Sequence, residues 1–478
     1  MKLILSVLVL AFLLTPFYLS AQKETIVIKS GHIDSADIYK LFYVPIEIPK
    51  RTGELKVELK YSDKGKNVLN LGIYDIGGYE MGVSAGFRGW SGGAKTEFFI
   101  QSDTASTGYI PGKIPAGTWN ILIYSSTIIK KGIDWEIKAI LIDGKPKNQF
   151  QISKAKTVIH NKSGWYRGDL HMHTLHSDGK RSQQELVDEA LDKKMDYIIS
   201  TEHNTNSANL YWGKYNHKNL LVINGEEITT TAFGHWNAIG LNANTLIEWR
   251  FTPEDNLIRK YIDKVHQDGG LCIINHPFYA KGGANNFEFD PNLFDGIEIW
   301  NGNWDKQDEL ALNWWDSLLK EGKKLFAIGA SDTHVISGSE NNLGSPQTVI
   351  FSDALSKKGL MEGLKNGKAY AVKSSDFELV MRAKSGSNEA MIGETLKIDL
   401  NDGTSVSLSA KLPEGSIITL HSDYGIIQNE IYRKDKIFNW TVKMPAKYVR
   451  AEVRSNTGEL IGFTNPIYIL PTSNKSVR

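Results

Sequence analysis

The segment DLHMHTLHSDGK, residues 169–180, places three histidines and two aspartates within ten residues. A buried strand is built from apolar side chains, and a turn favours Gly, Asn or Pro. Neither explains a His-x-His pattern, so the segment indicates a site that binds a metal or carries out chemistry. The surrounding sequence decides which fold could bring further residues of this kind to it.

Short apolar strands alternate with helical segments on both sides of this segment, from 164 to 373. QQELVDEALDKKM has a helical apolar period, and Ser182 with Glu185 forms a capping-box pattern before it. TPEDNLIRKYIDKVHQDGG predicts a helix capped by Thr252, with Pro253 in its first turn and Gly269 at its end. Such alternation predicts βα units that form a parallel sheet or barrel.

Coordinating side chains recur where the apolar strands end. Strand ends of a βα barrel converge on one face, where active sites are built, so residues far apart in sequence would meet there. One histidine at a strand end is usually structural, but six ends with the same chemistry indicate a site. The residues are His171 and His173 after YRGDL, Glu202 and His203 after DYIIST, Glu226 and Glu227 after LLVIN, His276 after LCIIN, Glu298 and Asn301 in or after DGIEIW, and Asp332 and His334 after LFAIGAS.

The motifs HMHTLHSDG, STEHN, GEEIT, NHP and ASDTH, in this order, resemble those of the polymerase and histidinol phosphatase family, the PHP domain. The resemblance covers about 164–373, less than half of the chain. WYRGDLHMHT after a β domain is similar to the exported branch that includes carbaryl hydrolases. The resemblance implies a distorted (β/α)7 barrel and up to three bound metal ions.

Carried over to this chain, the resemblance implies three metal sites. Imidazole and carboxylate ligands without thiolate suit two to three Zn²⁺, Mn²⁺ or Fe²⁺ ions, which would activate a water nucleophile. Glu227, which bridges two ions, and Asp332 are the predicted catalytic residues. The implied ligands are His171, His173, Glu227 and Asp332 for the first site, Glu227, His235 and His276 for the second, and Asp178, His203 and His334 for the third.

Several assignments in these motifs are open from the sequence. The Gly-x-Glu spacing selects Glu227 over Glu226, which strand alternation turns to the opposite face. The family has Asp where this chain has Glu202, which puts the role of that carboxylate in question. His235 is assigned as a ligand, although it could be a strand histidine that faces the helices. His176 has no family counterpart, and we expect an exposed turn residue that could also rim the pocket.

The flanking sequence differs from the middle. Strands with alternating polarity and turn residues predict an N-terminal β-sandwich at 22–158 and a small C-terminal β domain at 376–478. They flank the α/β region at 159–375, which the motif resemblance implies is a PHP metallohydrolase domain. The formal net charge of +1 provides no field to recruit nucleic acid or an anionic membrane, so the expected partner is a small-molecule substrate. Nothing in the sequence determines the oligomeric state.

The substrate is open at this stage. A phosphoesterase is our first expectation, because the cleavage of phosphomonoesters and diesters is the commonest activity of the family that the chain resembles. A carbamate, amide or ester hydrolase is the second, and a non-catalytic metal- or glycan-binding protein is the third. A phosphoester would favour cationic side chains at the pocket mouth, where Arg167, Lys180, Arg181 and Lys281 are candidates. An aryl carbamate would favour an aromatic wall, for which Tyr279, Trp300 and Trp304 are candidates.

The N-terminus has the pattern of a cleaved secretory signal over residues 1–21. Lys2 precedes the apolar run 3–14, and Leu19 and Ala21 occupy the −3 and −1 positions of a cleavage site. The run is shorter than the ~20 residues of a spanning helix, and no cysteine follows it to carry a lipid. Since the only cysteine, Cys272, forms no intrachain disulfide, we expect a bacterial periplasmic or secreted protein.

We therefore expect the exported protein to begin at Gln22. N-terminal sequencing of the protein recovered outside the cytoplasm checks this directly. An intact Met1 on protein found only in the cytosol would contradict it.

Overall fold

A computed structural model of the chain describes residues 23–82, 85–145, 148–279, 286–335, 342–399, 403–434, 436–442 and 446–471. The predicted signal peptide and Lys281 lie outside these residues. None of the helices in this part of the chain is long and apolar enough to cross a membrane.

Two four-stranded antiparallel sheets form the N-terminal region, as predicted for a sandwich. Their strand orders are β1-β8-β3-β6 and β2-β7-β4-β5. The second sheet is buried on both faces: Ile121 and Ile123 face the sandwich core, while Leu122 and Tyr124 pack on the central region. The strands are β1 Glu24–Ile33, β2 Phe42–Ile48, β3 Thr52–Tyr61, β4 Val68–Tyr74, β5 Phe87–Gly92, β6 Glu97–Gln101, β7 Gly117–Thr127 and β8 Ile133–Asp143.

The central region combines strands with all four described α-helices, so the mixed α/β class is confirmed. Its strands are β9 Val158–His160, β10 Gly164–Asp169, β11 Tyr197–Ser200, β12 Leu221–Thr229, β13 His235–Ile239, β14 Leu271–Asn275, β15 Gly296–Asn301, β16 Phe326–Ala330, β17 Gln347–Ser352, β18 Leu355–Ser356 and β19 Ala369–Val372. Its helices are α1 Gln183–Asp192, α2 Ile258–Gln267, α3 Lys306–Lys320 and α4 Lys357–Lys365.

Seven central strands are hydrogen-bonded in the order β10-β11-β12-β13-β14-β15-β16. The ladder is not all parallel as the sequence predicted, because β13 runs antiparallel to both β12 and β14. Met172, beyond the end of β10, and Thr333, beyond the end of β16, form an isolated parallel bridge between the first and last strands of the series. Closure into a (β/α)7 barrel is supported by this bridge and stays a prediction.

The central helices follow the sequence patterns with one difference. α1 begins after Ser182, whose side chain and that of Glu185 form the expected capping box. Thr252 and Pro253 begin only a short 3-10 turn, and Asn256, with φ 54°, separates it from α2. The left-handed conformation at Asn256 ends the first turn, so the single predicted helix is two shorter elements.

The C-terminal strands continue the central sheet. β19 pairs with β28, so one fifteen-stranded sheet runs from β16 into the C-terminal region. A separate four-stranded sheet, β21-β20-β23-β26, packs on it around a shared apolar core. The strands are β20 Glu378–Ser385, β21 Asn388–Met391, β22 Thr395–Ile398, β23 Thr404–Lys411, β24 Ile417–Ser422, β25 Gly425–Ile431, β26 Phe438–Val442, β27 Tyr448–Arg454, β28 Leu460–Thr464 and β29 Ile467–Pro471.

A buried asparagine fastens this C-terminal region to β16. Asn465 Oδ1 accepts from Ala327 N at 2.7 Å, and its Nδ2 donates to Ala327 O at 2.9 Å and Ala369 O at 3.0 Å. Asn465→Ala would leave the buried N and O of Ala327 unpaired, whereas Ala369 O keeps its bond from the backbone N of residue 465, so we expect a loss of about 2–4 kcal/mol in unfolding free energy. Urea unfolding followed by fluorescence measures it. Asn388→Ala removes an exposed hydrogen bond from the Asn388 side-chain amide to Lys397 O and should cost under about 0.5 kcal/mol in unfolding free energy. An equal loss in both variants would contradict the role assigned to Asn465.

Candidate metal centre

The nine predicted ligands lie at one end of the central sheet. Most follow a strand, whereas Glu227 lies inside β12 and His235 opens the antiparallel β13. Asp169, at the end of β10, ties the first and last strands together by accepting from Ser331 N at 3.1 Å and Gly344 N at 2.7 Å. Three clusters of potential ligands include all nine residues: His171, His173 and Asp332; Glu227, His235 and His276; and His173, Asp178, His203 and His334.

The first cluster brings two histidines against one carboxylate. His171 Nε2 and His173 Nε2 lie 3.3 and 3.0 Å from Asp332 Oδ1. Glu227 Oε2 completes the group, at 3.3 Å from His171 Nε2 and 3.4 Å from His173 Nε2. Ligands bound to one tetrahedral ion at ordinary metal–ligand distances lie about 3.4 Å apart, so this spacing fits a shared cation.

Glu227 faces two clusters at once. Its Oε2 points to the first cluster, while its Oε1 lies 3.1 Å from His235 Nδ1 and 3.3 Å from His276 Nε2. Asn275 Nδ2 also donates to Oε1, at 3.1 Å. The division of the two oxygens between separate histidine groups is the geometry that a bridging carboxylate requires.

The third cluster surrounds Asp178 in the loop before α1. Asp178 Oδ1 lies 3.2 Å from His334 Nε2 and 3.6 Å from His203 Nε2. The loop passes so close to the preceding motif that a Cβ at Gly179 would lie 2.4 Å from the His173 carbonyl carbon. Glycine at 179 therefore permits the approach that brings Asp178 to the histidines.

The buried donor atoms fit a divalent cation. His171 Nε2, Glu227 Oε2 and Asp178 Oδ1 are buried and have no hydrogen-bond partner among the described residues. Buried polar atoms without partners are costly, and a metal ion would satisfy all three. A nitrogen and oxygen ligand set of this kind suits Zn²⁺, Mn²⁺ or Fe²⁺.

The electrostatics keep the ligand carboxylates ionised. Burial opposes ionisation of Glu227, but the imidazoles of His203 and His171 hold its pKa well below the usual range. The pKa of the buried Asp332 carboxyl is likewise held well below its usual range, by His171 and His173. Burial and the neighbouring His334 and His203 imidazoles lower the pKa of His173 to about 3, so its ring is neutral and able to bind a cation.

Glu298, a carboxylate with no role assigned from the sequence, orients a predicted ligand. Glu298, on β15, lies with its Oε1 3.0 Å from His171 Nδ1 and accepts from His276 N at 3.1 Å. Asn301 Nδ2 donates to both Glu298 and Asp332, at 3.2 Å each. A hydrogen bond at Nδ1 leaves Nε2 of His171 as the coordinating atom. The sequence signal for this role was that Glu298 lies within a strand, whereas most of the predicted ligands follow strand ends.

Two predicted ligands have strained backbones. His276 has φ 24° and Asp332 has φ 49°, a region that residues other than glycine seldom occupy. Such strain costs about 1–3 kcal/mol per residue and persists where the fold imposes it, most often at functional sites.

The open assignments have clear structural positions. Glu226 points away from the centre, where its Oε2 accepts from Ile247 N at 2.9 Å, and burial raises its pKa well above the ordinary value. Glu202 is buried, and accepts from Thr174 N and Ser177 Oγ to hold the 174–177 loop. The expectation of an exposed His176 is wrong: the side chain is buried, its Nδ1 lies 2.9 Å from Ser207 Oγ, and burial lowers its pKa to about 3.

The cationic candidates for the pocket mouth separate into different environments. Lys180 lines the cavity beside the third cluster. Arg181 is buried, and its Nε pairs with Glu189 Oε2 at 2.8 Å, so it supports α1 rather than the mouth. Arg167 Nη1 donates to Gln347 Oε1 at 3.3 Å within the sheet.

The aromatic candidates also divide. Tyr279 is 68% exposed, with its ring centroid 5.5 Å from that of His276. Trp300 is buried, and its Nε1 donates to Gly302 O at 3.0 Å. Trp304 packs edge-on against Trp300. Of the three, Tyr279 alone presents a mostly exposed ring beside a predicted ligand.

Comparison with known proteins gives distant similarities. No family model matches the chain. It is 29% identical over 150 residues to an uncharacterized protein of Methanocaldococcus jannaschii, covering 28% of this chain and 81% of that protein. It is similar to a two-domain Bacteroides vulgatus protein containing a predicted PHP-like metal-dependent phosphoesterase, at 18% identity and TM-score 0.37, over 67% of this chain and 99% of that one.

A Chromobacterium violaceum amidohydrolase structure matches at 15% identity and TM-score 0.26, over 36% of this chain and 89% of that one. At this level of similarity, the chemistry of the chain has to be inferred from its own side chains.

Metal binding should depend on Glu227 and not on its neighbour. We expect the protein to bind two to three Zn²⁺ or Mn²⁺ ions, and Glu227→Gln to lose at least one, because the amide lacks the charge shared by two clusters. Calorimetric titration with elemental analysis measures the stoichiometry. Glu226→Gln is the matched control, since this side chain points away from the clusters and accepts from Ile247 N. A loss of metal from Glu226→Gln alone would reverse the assignment.

Proposed function

We propose that the chain is an exported metal-dependent hydrolase that cleaves phosphomonoesters or phosphodiesters with water as the nucleophile. The observation that carries this proposal is the buried Glu227 carboxylate, with one oxygen toward His171 and His173 and the other toward His235 and His276. A carboxylate shared in this way supports two adjacent cations, the arrangement used by many hydrolases of phosphate esters.

Charge favours a phosphoester over a neutral substrate. Asp178, Glu227 and Asp332 supply three carboxylates to the three clusters. With the adjacent Glu298 carboxylate counted, two divalent ions would balance the negative charge and three would outweigh it, so the fully loaded pocket would attract an anionic group. Lys180 adds a further positive charge at the edge of the cavity.

The residues of the chain have distinct tasks in this proposal. Divalent ions bound at the clusters would supply Lewis-acid chemistry, by lowering the pKa of a water molecule and polarising the substrate. Glu298 orients His171, and the His334 ring is held by its Nδ1, which lies 2.8 Å from Asp332 O. Asn301 holds the Asp332 carboxylate from its other oxygen. These bonds keep the ligands in place without rearrangement during the reaction.

A thiol nucleophile has no part in this proposal. Cys272 is fully buried in β14, and burial raises the pKa of its thiol well above the ordinary value. A neutral, inaccessible thiol is a poor nucleophile. The catalytic groups we propose are therefore Glu227 and Asp332 at the metal centre.

A carbamate or amide hydrolase is the alternative, and a specific observation favours it. The cavity beside the centre is lined by Tyr39, Trp90 and Tyr124, and neutral rings suit an uncharged aryl substrate. A non-catalytic metal- or glycan-binding role is the third candidate, and the absence of any ester cleavage by metal-loaded protein would favour it.

Location and domain limits belong to the same proposal. The signal pattern of residues 1–21 supports export to the periplasm or beyond. We place the sandwich at 22–158, the metallohydrolase domain at 159–375 and the C-terminal β domain at 376–478, with β19 and β28 paired across the last boundary.

Activity should follow the shared carboxylate. Metal-loaded mature protein should hydrolyse nitrophenyl phosphate or bis-nitrophenyl phosphate faster than naphthyl carbamate. Glu227→Gln should lower kcat by roughly a thousandfold, equivalent to about 4 kcal/mol in barrier height. Steady-state assays of release of the coloured alcohol measure both effects. Carbamate cleavage alone would select the alternative, and no cleavage after loading with Zn²⁺ or Mn²⁺ would overturn the hydrolase proposal.

A further inference from the structure

A cavity of about 650 Å³ joins the metal centre to the N-terminal sandwich. On the central side it reaches Asp178, His203, His235 and His334, which are predicted ligands. The opposite side is built entirely by the sandwich, from Tyr39, Val68, Asn70, Trp90, Ser91, Gly92, Gly93, Ala94, Tyr124 and Ser126. We call these ten residues the sandwich wall.

The sandwich wall differs chemically from the metal side. It contains no charged side chain among the residues that the structure describes there, but three aromatic rings, an amide and hydroxyl groups. Among these ten residues Tyr39 offers an exposed ring face, because Trp90 and Tyr124 are buried and stack on each other, and the half-buried Ser126 hydroxyl can bind a polar substituent. The wall therefore suits a neutral ring that carries hydrogen-bonding groups.

The wall is held rigidly before any ligand binds. Trp90 stacks on Tyr124 with ring centroids 5.7 Å apart and contacts Trp249 of the central region at 4.7 Å. Asn70 Nδ2 donates to Tyr124 O and Ser126 Oγ, both at 3.1 Å. A preformed wall loses little conformational entropy when it binds a ligand.

The sandwich is also fastened to the loop that carries Asp178. Lys95 Nζ donates to Leu175 O at 2.7 Å and to Ser177 O at 3.1 Å. Gly108, with φ 95°, accepts from Thr205 Oγ1 at 3.1 Å. These bonds fix the distance between the wall and the metal side.

Tyr39 gives the wall an exposed ring at a cost to the backbone. It has φ 67°, a left-handed conformation that is rare for a bulky residue. Its N donates to Ser125 O at 2.9 Å, and its side chain is 39% exposed. Asparagine or glycine would adopt this conformation with less strain, so the backbone does not require a tyrosine at this position.

We propose that the sandwich wall is the specificity-determining half of the active site and binds the alcohol part of the ester, a neutral ring with polar substituents. The inference rests on the proposed function, and it adds that Tyr39 and the neighbouring wall residues determine which alcohol group is bound. A sugar and a substituted aryl group share this chemistry, and the substrates tested below distinguish them.

The test compares esters with and without a ring in metal-loaded protein. Tyr39→Asn keeps the left-handed backbone but removes the ring. For glucose 1-phosphate or 4-nitrophenyl phosphate, kcat/KM should fall about threefold to tenfold, the value of one aromatic contact. For ethyl phosphate, which has no ring to contact Tyr39, kcat/KM should not change. The substrate whose kcat/KM falls more, glucose 1-phosphate or 4-nitrophenyl phosphate, identifies whether the wall prefers a sugar or an aryl group.

The matched control is Arg51→Asn. Arg51 also has a left-handed backbone, with φ 71°, but lies on the sandwich away from the cavity, with its side chain 73% exposed. Both variants should melt at or above the wild-type Tm, and only Tyr39→Asn should change the ratio between ring and ethyl esters. An unchanged ratio in Tyr39→Asn overturns the inference, as does an equal change in Arg51→Asn.

Binding without chemistry separates the two proposals. Methyl glucoside and 4-nitrobenzyl alcohol carry the ring but no phosphate, and tryptophan fluorescence of the metal-free protein reports their binding. Weaker binding of either compound by Tyr39→Asn, together with no cleavage of any ester, would overturn the phosphoesterase and leave the wall assignment standing. Binding of neither compound by the wild type overturns the wall assignment, whatever the esters show.

Discussion

A single buried carboxylate organises this molecule. Glu227 is fully buried, and a buried charge is costly unless partners of opposite charge surround it. Its two oxygens face different histidine groups, so the loops after β10 and β14 and the start of the antiparallel β13 must meet around it. The apolar strand interiors supply the folding energy, which allows their ends to carry polar side chains that contribute little to stability. The metal centre is thus a constraint on where strands end.

Several of the predicted histidine ligands have a polar partner at Nδ1, and for His203 that nitrogen also lies 2.8 Å from Glu227 Oε2. Glu298 occupies Nδ1 of His171, Thr229 Oγ1 lies 2.6 Å from Nδ1 of His203, and the Asp332 carbonyl occupies Nδ1 of His334. In all three rings Nε2 is then directed at a carboxylate of the cluster. This repeated arrangement fixes ring orientation and the coordinating nitrogen together, and it explains why several polar residues outside the ligand set are buried.

Local patterns predicted much of this, and long-range contacts account for the rest. Strand ends with His, Asp and Glu predicted which residues would lie together. Strand alternation predicted that Glu226 points away from them, as its bond with Ile247 N shows. The antiparallel direction of β13 could not be predicted, because the sequence of a five-residue strand does not indicate which way it runs in the sheet. The burial of His176 depends on packing against Ser207 and the sandwich, which no local window contains.

Separate segments encode the predicted metal ligands and the opposite wall of the adjacent cavity. The ligands come from 171–334, whereas Tyr39, Asn70 and Trp90 belong to strands or turns of the sandwich. Buried interface bonds, such as Arg250 Nη1 to Tyr43 OH at 2.6 Å, fix the two parts relative to each other. Because the wall supplies no predicted ligand, substitutions there can change which group is held without disturbing the clusters. Substitutions of the clustered histidines have no such freedom, since these side chains also surround the buried Glu227 carboxylate.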